Sequence, residues 1–364
     1  LRVAAYQLLR LERVPGYAAV NEAVDCARAG GFDRQAGFVN AVLRQVADIH
    51  DPAGFLQLDA DSAGSLATLY SHPLFLVERW LEHHPAASVR AWLERSGRPP
   101  AHFLTVNTRK TTLEEFLAAC REHGAEAAPA GPGLPVAEVT GSLLPLEPLL
   151  VGGLAFPQDL WSHAVTALAP DAGCSRILDL CAAPGGKAFA LALRFPEAEL
   201  CAMDVSPVRL RILAERAAVL GLDRIALLAG DAADPPMPVG GWDLVLVDAP
   251  CSGTGTLQRN PDLRWRLAPE EFLRQAHRQR RILAAAAERV APGGRLVYST
   301  CSAEPEENQA VVEDFLATPA GAEFVIEPVG DRWADFRTAG GFFQTFPRAD
   351  RGEGFFAAIL KRKN

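Results

Sequence analysis

Arg176-Ile-Leu-Asp-Leu-Cys-Ala-Ala-Pro-Gly-Gly-Lys187 is the stretch from which the fold is read. Its apolar run, Ile177 to Leu180, breaks at Pro184-Gly185-Gly186, and an Ala/Leu-rich helical pattern follows. That order predicts a strand, a tight turn and a helix start. Glycines let a ligand approach the backbone closely, and N–H groups at a helix start favour an anionic group. Such turns serve several nucleotide cofactors, so the turn alone is not decisive. Two later stretches sharpen it: Asp248-Ala-Pro-Cys251-Ser-Gly-Thr-Gly255 and Tyr298-Ser-Thr-Cys301-Ser302. Each follows an apolar, strand-like run and sets a cysteine just past its end.

Working outward, strand-like runs near 176–180, 199–204, 225–229, 243–248 and 295–300 alternate with helical stretches, the signature of a parallel sheet with covering helices. Two more β-like runs, Phe324-Val-Ile326 and Phe355 to Leu360, close the chain. Ligands of such sheets bind beyond the carboxyl ends of the strands. Asp179, Asp204, Asp231, Asp248, Cys251 and Cys301 all fall at or just past a predicted strand end. A lone acid there is commonly a helix cap; four acids with two cysteines point to a site.

Upstream, residues 1 to about 50 read as three helices. Their apolar faces run through Leu1, Ala4, Tyr6, Leu8, Leu9 and Leu11, then Ala18, Val20, Ala23, Val24 and Ala27, then Phe38, Val39, Ala41, Val42, Leu43 and Val46. Three such helices make a marginal core alone. The chain starts at Leu1 rather than a methionine, and the expectation is that the N-terminus is incomplete. Asp51 to Ser71 reads as a connection. His72 to Ser96 reads as helical, Phe103 to Asn107 as a strand, and Thr112-Leu-Glu-Glu115 as a capping box opening a helix from Leu113 to Arg121. A Pro/Gly-rich loop, Pro129 to Pro135, follows. The expected domains are 1–71, all-α with a linker; 72–150, small α+β; and 151–364, α/β.

The chain has 364 residues, enough for two or three domains, and 49% of them are apolar. No apolar run approaches the ~20 residues of a membrane helix, and no signal peptide is visible. Seven cysteines lack disulfide-framework spacing, and no C-x-x-C pair suggests zinc. Reduced thiols in a cytoplasmic protein, and no metal, are therefore expected. A net charge of −8 argues mildly against a nucleic-acid partner, but charge is unevenly spread. From Gln258 to Val290, eight arginines face four acids. By itself the cluster reads equally well as a solvated helix face; its closeness to Cys251 favours contact with nucleic acid. Arg259, Arg264, Trp265 and Arg266 are the candidate RNA-binding residues, with Trp265 either stacking on a base or sitting in the core.

Asp204 ends the second strand of the α/β region, where dinucleotide folds place the acid that binds ribose hydroxyls. The glycine pattern is not G-x-G-x-x-G, so nothing calls for a pyrophosphate or supports a nicotinamide-dependent oxidoreductase. A nucleoside with an amino-acid tail fits better: ribose at Asp204, adenine near Asp231-Ala232, carboxylate at the 184–187 turn. The ligand of that make-up is S-adenosylmethionine. Carbon 5 of a pyrimidine takes a methyl group only after a thiolate adds to carbon 6, and an acid must then stabilise charge on the ring. Asp248 is placed for that role, and a second thiol could assist elimination. Free cysteines are often small buried hydrophobes; that reading suits Cys26, Cys120, Cys174 and Cys201. Cys251 and Cys301, set among Pro, Ser, Thr and Gly, do not suit it. Cys181, before the turn, reads as structural in packing.

These motifs resemble the RNA (cytosine-5)-methyltransferases of the Sun/Fmu/NSUN superfamily. The resemblance extends to Gln158-Asp159, Asn260-Pro-Asp-Leu-Arg-Trp265, Pro305-Glu-Glu-Asn308 and Gly352-Glu-Gly-Phe-Phe356. Tyr6-Gln-Leu-Leu9 and Asn40-Ala-Val-Leu-Arg44 resemble the later part of the helical NusB-like domain found in its bacterial 16S ribosomal RNA branch. The resemblance implies a Rossmann-like class I S-adenosylmethionine-dependent methyltransferase domain behind a small α+β domain and a partial NusB-like domain. It implies Cys301 as nucleophile, Cys251 as the thiol that helps release product, and Asp248 beside them. Cofactor contacts carry over to Cys181, Ala182, Ala183, Pro184, Gly185, Gly186, Lys187, Asp204, Arg209, Asp231 and Asp248. The implied substrate is a cytosine of 16S ribosomal RNA, bound by a cytoplasmic monomer. The same chemistry on transfer RNA or another ribosomal site, and an RNA-binding assembly protein, are the alternatives.

Overall fold

A computed structural model describes residues 1–51, 54, 62–131, 133–168 and 174–364. The Arg176–Asp179 run forms a strand at the middle of the larger sheet. We number the strands β1 His102–Val106, β2 Glu126–Pro129, β3 Val136–Thr140, β4 Ala155–Pro157, β5 Arg176–Asp179, β6 Glu199–Asp204, β7 Ile225–Ala229, β8 Trp242–Asp248, β9 Val290–Thr300, β10 Phe324–Glu327, β11 Phe343–Gln344 and β12 Phe356–Arg362. The larger sheet runs β7-β6-β5-β8-β9-β12-β10, with β11 paired to β12. β5 pairs in parallel with β6 on one side and β8 on the other, and Asp248 stands opposite Ser299 of β9. β12 is antiparallel to both β9 and β10. The chain leaves β5 towards β6 and β7, then returns to lay β8 on the opposite flank. The switch point is therefore at the carboxyl ends of β5 and β8, where such sheets take ligands.

Strands buried on both faces read as nearly continuous apolar runs. Ile177, Leu200, Leu244 and Val297 face one layer with Leu160, Phe189 and Leu213. Leu178, Met203, Val245 and Leu296 face the other, with Ile282, Leu283, Val311 and Phe315. The helices Leu160–Ala167, Gly186–Arg194 and Pro207–Leu220 supply the first layer, and Pro269–Ala287 and Gln309–Leu316 the second.

The small sheet, β2-β3-β1-β4, is antiparallel throughout. The Leu113–Glu122 helix covers it, burying Phe116 and Cys120 with Leu104, Val106 and Val139. Its capping box is present: Glu115 N donates to Thr112 Oγ1 at 3.2 Å, and Thr112 N to Glu115 Oε2 at 2.9 Å. The boundary expected at 150/151 falls inside this sheet, because β4 pairs with β1 before Asp159 caps the next helix. The helices Leu74–His83 and Ala86–Ser96 lie outside the small sheet's core: Trp80 and Trp92 pack on Phe346, 5.3 and 4.6 Å between ring centres. Arg79 holds Glu304 and Glu306 at 3.0 and 2.7 Å, fixing this pair of helices to the larger α/β region.

By contacts the chain divides into units 1–74 and 75–364. In the first, the helices Arg2–Arg10, Gly16–Ala29 and Ala36–Ala47 bury Ala4, Val20, Val39 and Leu43. Tyr6 and Phe38, expected on apolar faces, are exposed. The expected connection of Asp51 to Ser71 contains a helix, Ala63–Leu69, capped by Ser62, which accepts from Ser65 N at 3.2 Å. Residues 52, 53 and 55–61 of that connection lie outside the described residues.

Candidate active site

The turn after β5 is shaped by its own backbone and by Asp204. Asp179 Oδ1 accepts from Cys181 N at 3.3 Å, and Asp204 Oδ2 accepts from Ala183 N at 3.2 Å. Asp204 also accepts from Ser206 N at 2.9 Å and has Arg209 Nη1 at 3.4 Å; Arg209 in turn donates to the Ala183 carbonyl. Gly185 caps the next helix at φ 116°, and an added Cβ would lie 2.3 Å from Phe189 Cζ. A side chain is excluded there both by conformation and by space.

Lys187, in the first turn of that helix, is buried. Its Nζ stands 2.8 Å from Asp248 Oδ2, donates to Ser162 Oγ at 3.0 Å, and lies 4.9 Å from the centre of the Phe355 ring. Asp248 Oδ1 accepts from Ser299 at 2.8 Å. Asp179 is fully buried and its Oδ2 has no partner. Burial, and then Asp248, push its carboxyl up to about 7, against the pull of Lys187.

Beyond Asp248 the two thiols meet. Cys251 Sγ and Cys301 Sγ are 3.3 Å apart, and both cysteines are free. The contact with Cys251, followed by burial, holds the Cys301 thiol well above its ordinary range. Burial and the neighbouring acids raise Cys181 as well. The loops carrying the thiols are tied by Glu307, which accepts from Ser252 N at 2.8 Å, Ser302 Oγ at 2.8 Å, Gln279 Nε2 at 3.0 Å and the Ser252 hydroxyl. Asn308 accepts from Thr300 and donates to Ser302 O at 2.9 Å. The Pro305–Asn308 motif is thus the clamp that sets the two cysteines together.

A cavity of about 790 Å³ joins these parts; Asp179, the 181–184 turn, Gly186, Lys187, Asp248 and Cys301 line it. So do Gln158, Asp159, Arg259 and Glu353, of which the residue-by-residue reading assigned only Arg259. Glu353 and Asp159 are buried acids. Burial and Asp159 push Glu353 up to about 8, with Arg259 Nε 3.0 Å away and opposing. Glu353 N donates to Asp159 Oδ2 at 3.1 Å. The signals for these residues were the Gln158-Asp159 and Gly352–Phe356 motifs, noted for resemblance without a role.

Other expected site residues fall differently. Asp204 is buried and occupied by backbone donors. Asp231 is exposed, turns its Oδ1 to Ala233 N at 2.9 Å, and does not line the cavity. Arg264 corrects an expectation: it is 5% exposed and donates to Leu257 O at 3.1 Å, holding its own loop instead of facing solvent. Trp265 is 63% exposed, so the core reading fails for it. Arg266 is exposed and pairs with Asp262. Arg259 is tied to Glu353 and to Ala101 O at 2.9 Å. Among the described residues no cluster of His, Cys, Asp and Glu could hold a metal ion, and no helix is long and apolar enough to cross a membrane.

Comparison with known proteins follows the same divisions. Residues 165–361 match the family described as 16S rRNA methyltransferase RsmB/F, residues 1–48 the NusB family, and residues 72–137 the ferredoxin-like domain of RsmF/B-like methyltransferases. The chain is 33% identical over 377 residues to the ribosomal RNA small subunit methyltransferase B of Erwinia tasmaniensis, covering 100% of this chain and 81% of that protein. The crystallised protein PH0851 superposes with a TM-score of 0.81 at 27% identity, covering 99% of this chain and 81% of its own. NSun6 from Pyrococcus horikoshii, crystallised with SFG, has the same fold, with a TM-score of 0.69 at 21% identity over 79% of this chain and 97% of its own.

Proposed function

This chain belongs to the 16S rRNA methyltransferase RsmB/F family, and from that membership we propose that it methylates carbon 5 of a cytosine in 16S ribosomal RNA with S-adenosylmethionine as donor. The observation that carries the cytosine-5 reading is the pair of free thiols 3.3 Å apart, of which Cys301 lines the same cavity as Asp248. The glycine turn, the open helix start and the buried unpartnered atoms of Asp179 and Gln158 suit a nucleoside with an amino-acid tail. When bound, S-adenosylmethionine supplies an electrophilic methyl group.

The residues act as follows. Cys301 gives its proton to solvent, its sulfur forms a bond to C6 of the base, and the C5–C6 π electrons move to C5, which takes the methyl group. Asp248, its position fixed by Lys187 and Ser299, faces the ring edge where charge accumulates. Cys251 takes the C5 proton; the electrons of that bond reform C5=C6 and expel Cys301. RNA approaches over the exposed Trp265 and Arg266.

The test is a trapping experiment with methyl-labelled cofactor and 16S RNA on denaturing gels. Cys251→Ala should methylate and then hold the RNA through Cys301, giving a slow protein–RNA band; Cys301→Ala should give neither band nor methyl transfer. The reverse pattern would make Cys251 the nucleophile, and activity in both without a band would end the thiol mechanism.

A further inference from the structure

Gln158 lies between β4 and the Leu160–Ala167 helix, is 7% exposed, and lines the cavity. Its Nε2 is buried without a partner, and an atom added as Cβ on Gly186 would sit 3.5 Å from it. Its Oε1 is occupied. Thr105 Oγ1, from β1 of the small sheet, donates to it at 2.8 Å, and His163 Nδ1 stands 3.3 Å away. Burial keeps the His163 ring neutral to about pH 4. In the Nδ1–H tautomer both groups donate to Oε1, which orients the amide with Nε2 towards the helix start.

Buried donors without partners cost free energy unless something fills them. The first intrahelical bond here is Phe189 N to Gly185 O at 2.8 Å, so the N–H groups of Gly186, Lys187 and Ala188 also point out of the helix. Lys187 Nζ is committed to Asp248 and Ser162. The donors left beside Gly186 are uncharged, which suits a carboxylate held by dipoles.

We propose that Gln158 donates from Nε2 to the carboxylate of the amino-acid tail of S-adenosylmethionine, and that Thr105 of the small sheet is the positioning residue that aims it. This rests on the cofactor reading above. The small α+β domain then contributes to cofactor affinity by aiming Gln158 through Thr105.

The test is calorimetry on the full chain with two compounds: S-adenosylmethionine, and 5′-methylthioadenosine, the same nucleoside without the amino-acid tail. Gln158→Glu keeps the acceptor for Thr105 and His163 and deletes the donor. It should weaken S-adenosylmethionine by about 10- to 100-fold and leave methylthioadenosine unchanged. Thr105→Val should weaken S-adenosylmethionine by a smaller factor, with Thr105→Ser restoring it. Equal losses for both compounds would place Gln158 in support of the turn and overturn the assignment, as would undiminished affinity of Gln158→Glu for S-adenosylmethionine. If the wild-type chain binds neither compound, the cofactor reading itself falls and the assignment with it.

Discussion

Around the two thiols, Glu307 accepts four hydrogen bonds and Asn308 joins Thr300 to Ser302, whereas beside the 181–187 turn Asp179 Oδ2 and Gln158 Nε2 are buried with nothing to bond. Gln279 Oε1 is the one unpartnered atom on the thiol side, and its amide nitrogen is bonded to Pro250 O and Glu307. The difference separates two kinds of polar burial. A saturated network fixes geometry and contributes it before any ligand arrives. An unsaturated one keeps its bonds for a ligand and costs stability until that ligand binds. Under the proposed function, the covalent chemistry falls on the first and the cofactor contacts on the second.

Breaking the saturated side should cost most. Glu307→Ala removes the acceptor of Ser252 N, one of the two acceptors of Gln279 Nε2, and the carboxylate shared by the Ser252 and Ser302 hydroxyls. It should destabilise the protein by roughly 3–5 kcal/mol in urea unfolding, with the loss of methyl transfer as the loops part. A cost below about 1 kcal/mol would mean that water replaces the carboxylate and that the clamp is not dry.

The unsaturated side should show itself through pH. The Asp179 carboxyl is raised from 3.8 to about 7. Between those values the native state keeps a proton that the unfolded chain has released. The stability from this group is thus fully present below about pH 4 and lost as pH rises through about 7. Asp179→Asn should flatten that fall, so that its stability relative to wild type rises from pH 4 to pH 8. Parallel stability–pH curves for the two proteins would show that Asp179 finds a partner and that the contrast between the two sides is false.

Ser299 links the two sides, since it stands on β9 just before Cys301 and donates to Asp248. Ser299→Ala should cost about 1 kcal/mol and slow methyl transfer modestly, sharpening how far the position of Asp248 depends on the thiol-bearing strand. An unchanged rate would assign that position to Lys187 alone.

Much of the α/β region was legible in the chain. Ile177–Leu180, Leu200–Asp204 and the run to Asp248 are apolar strands ended by an acid or a glycine turn, and they are legible as continuous apolar runs because both faces of the sheet are covered. The Thr112–Glu115 box was legible for a similar reason: its two bonds span three residues. The helix Ala63–Leu69 was missed because seven residues carry too little periodicity, and β4 was missed because three residues have no pattern until β1 pairs with them.

Sequence by itself singled out the candidate residues: the two cysteines, Asp248, and the glycine turn that excludes a side chain at Gly185. Their types and neighbours carry that information locally. Only the tertiary structure decided which of them meet. The 3.3 Å between the thiols joins residues 50 apart, and the Lys187–Asp248 pair joins a helix start to a strand end. It likewise turned Arg264 inward and Trp265 outward, though the two are adjacent in one arginine-rich run. And it gathered Gln158, Asp159 and Glu353 around one cavity. Side-chain direction at a strand end depends on what packs from across the sheet, and that packing is not written in any stretch of the chain short enough to read alone.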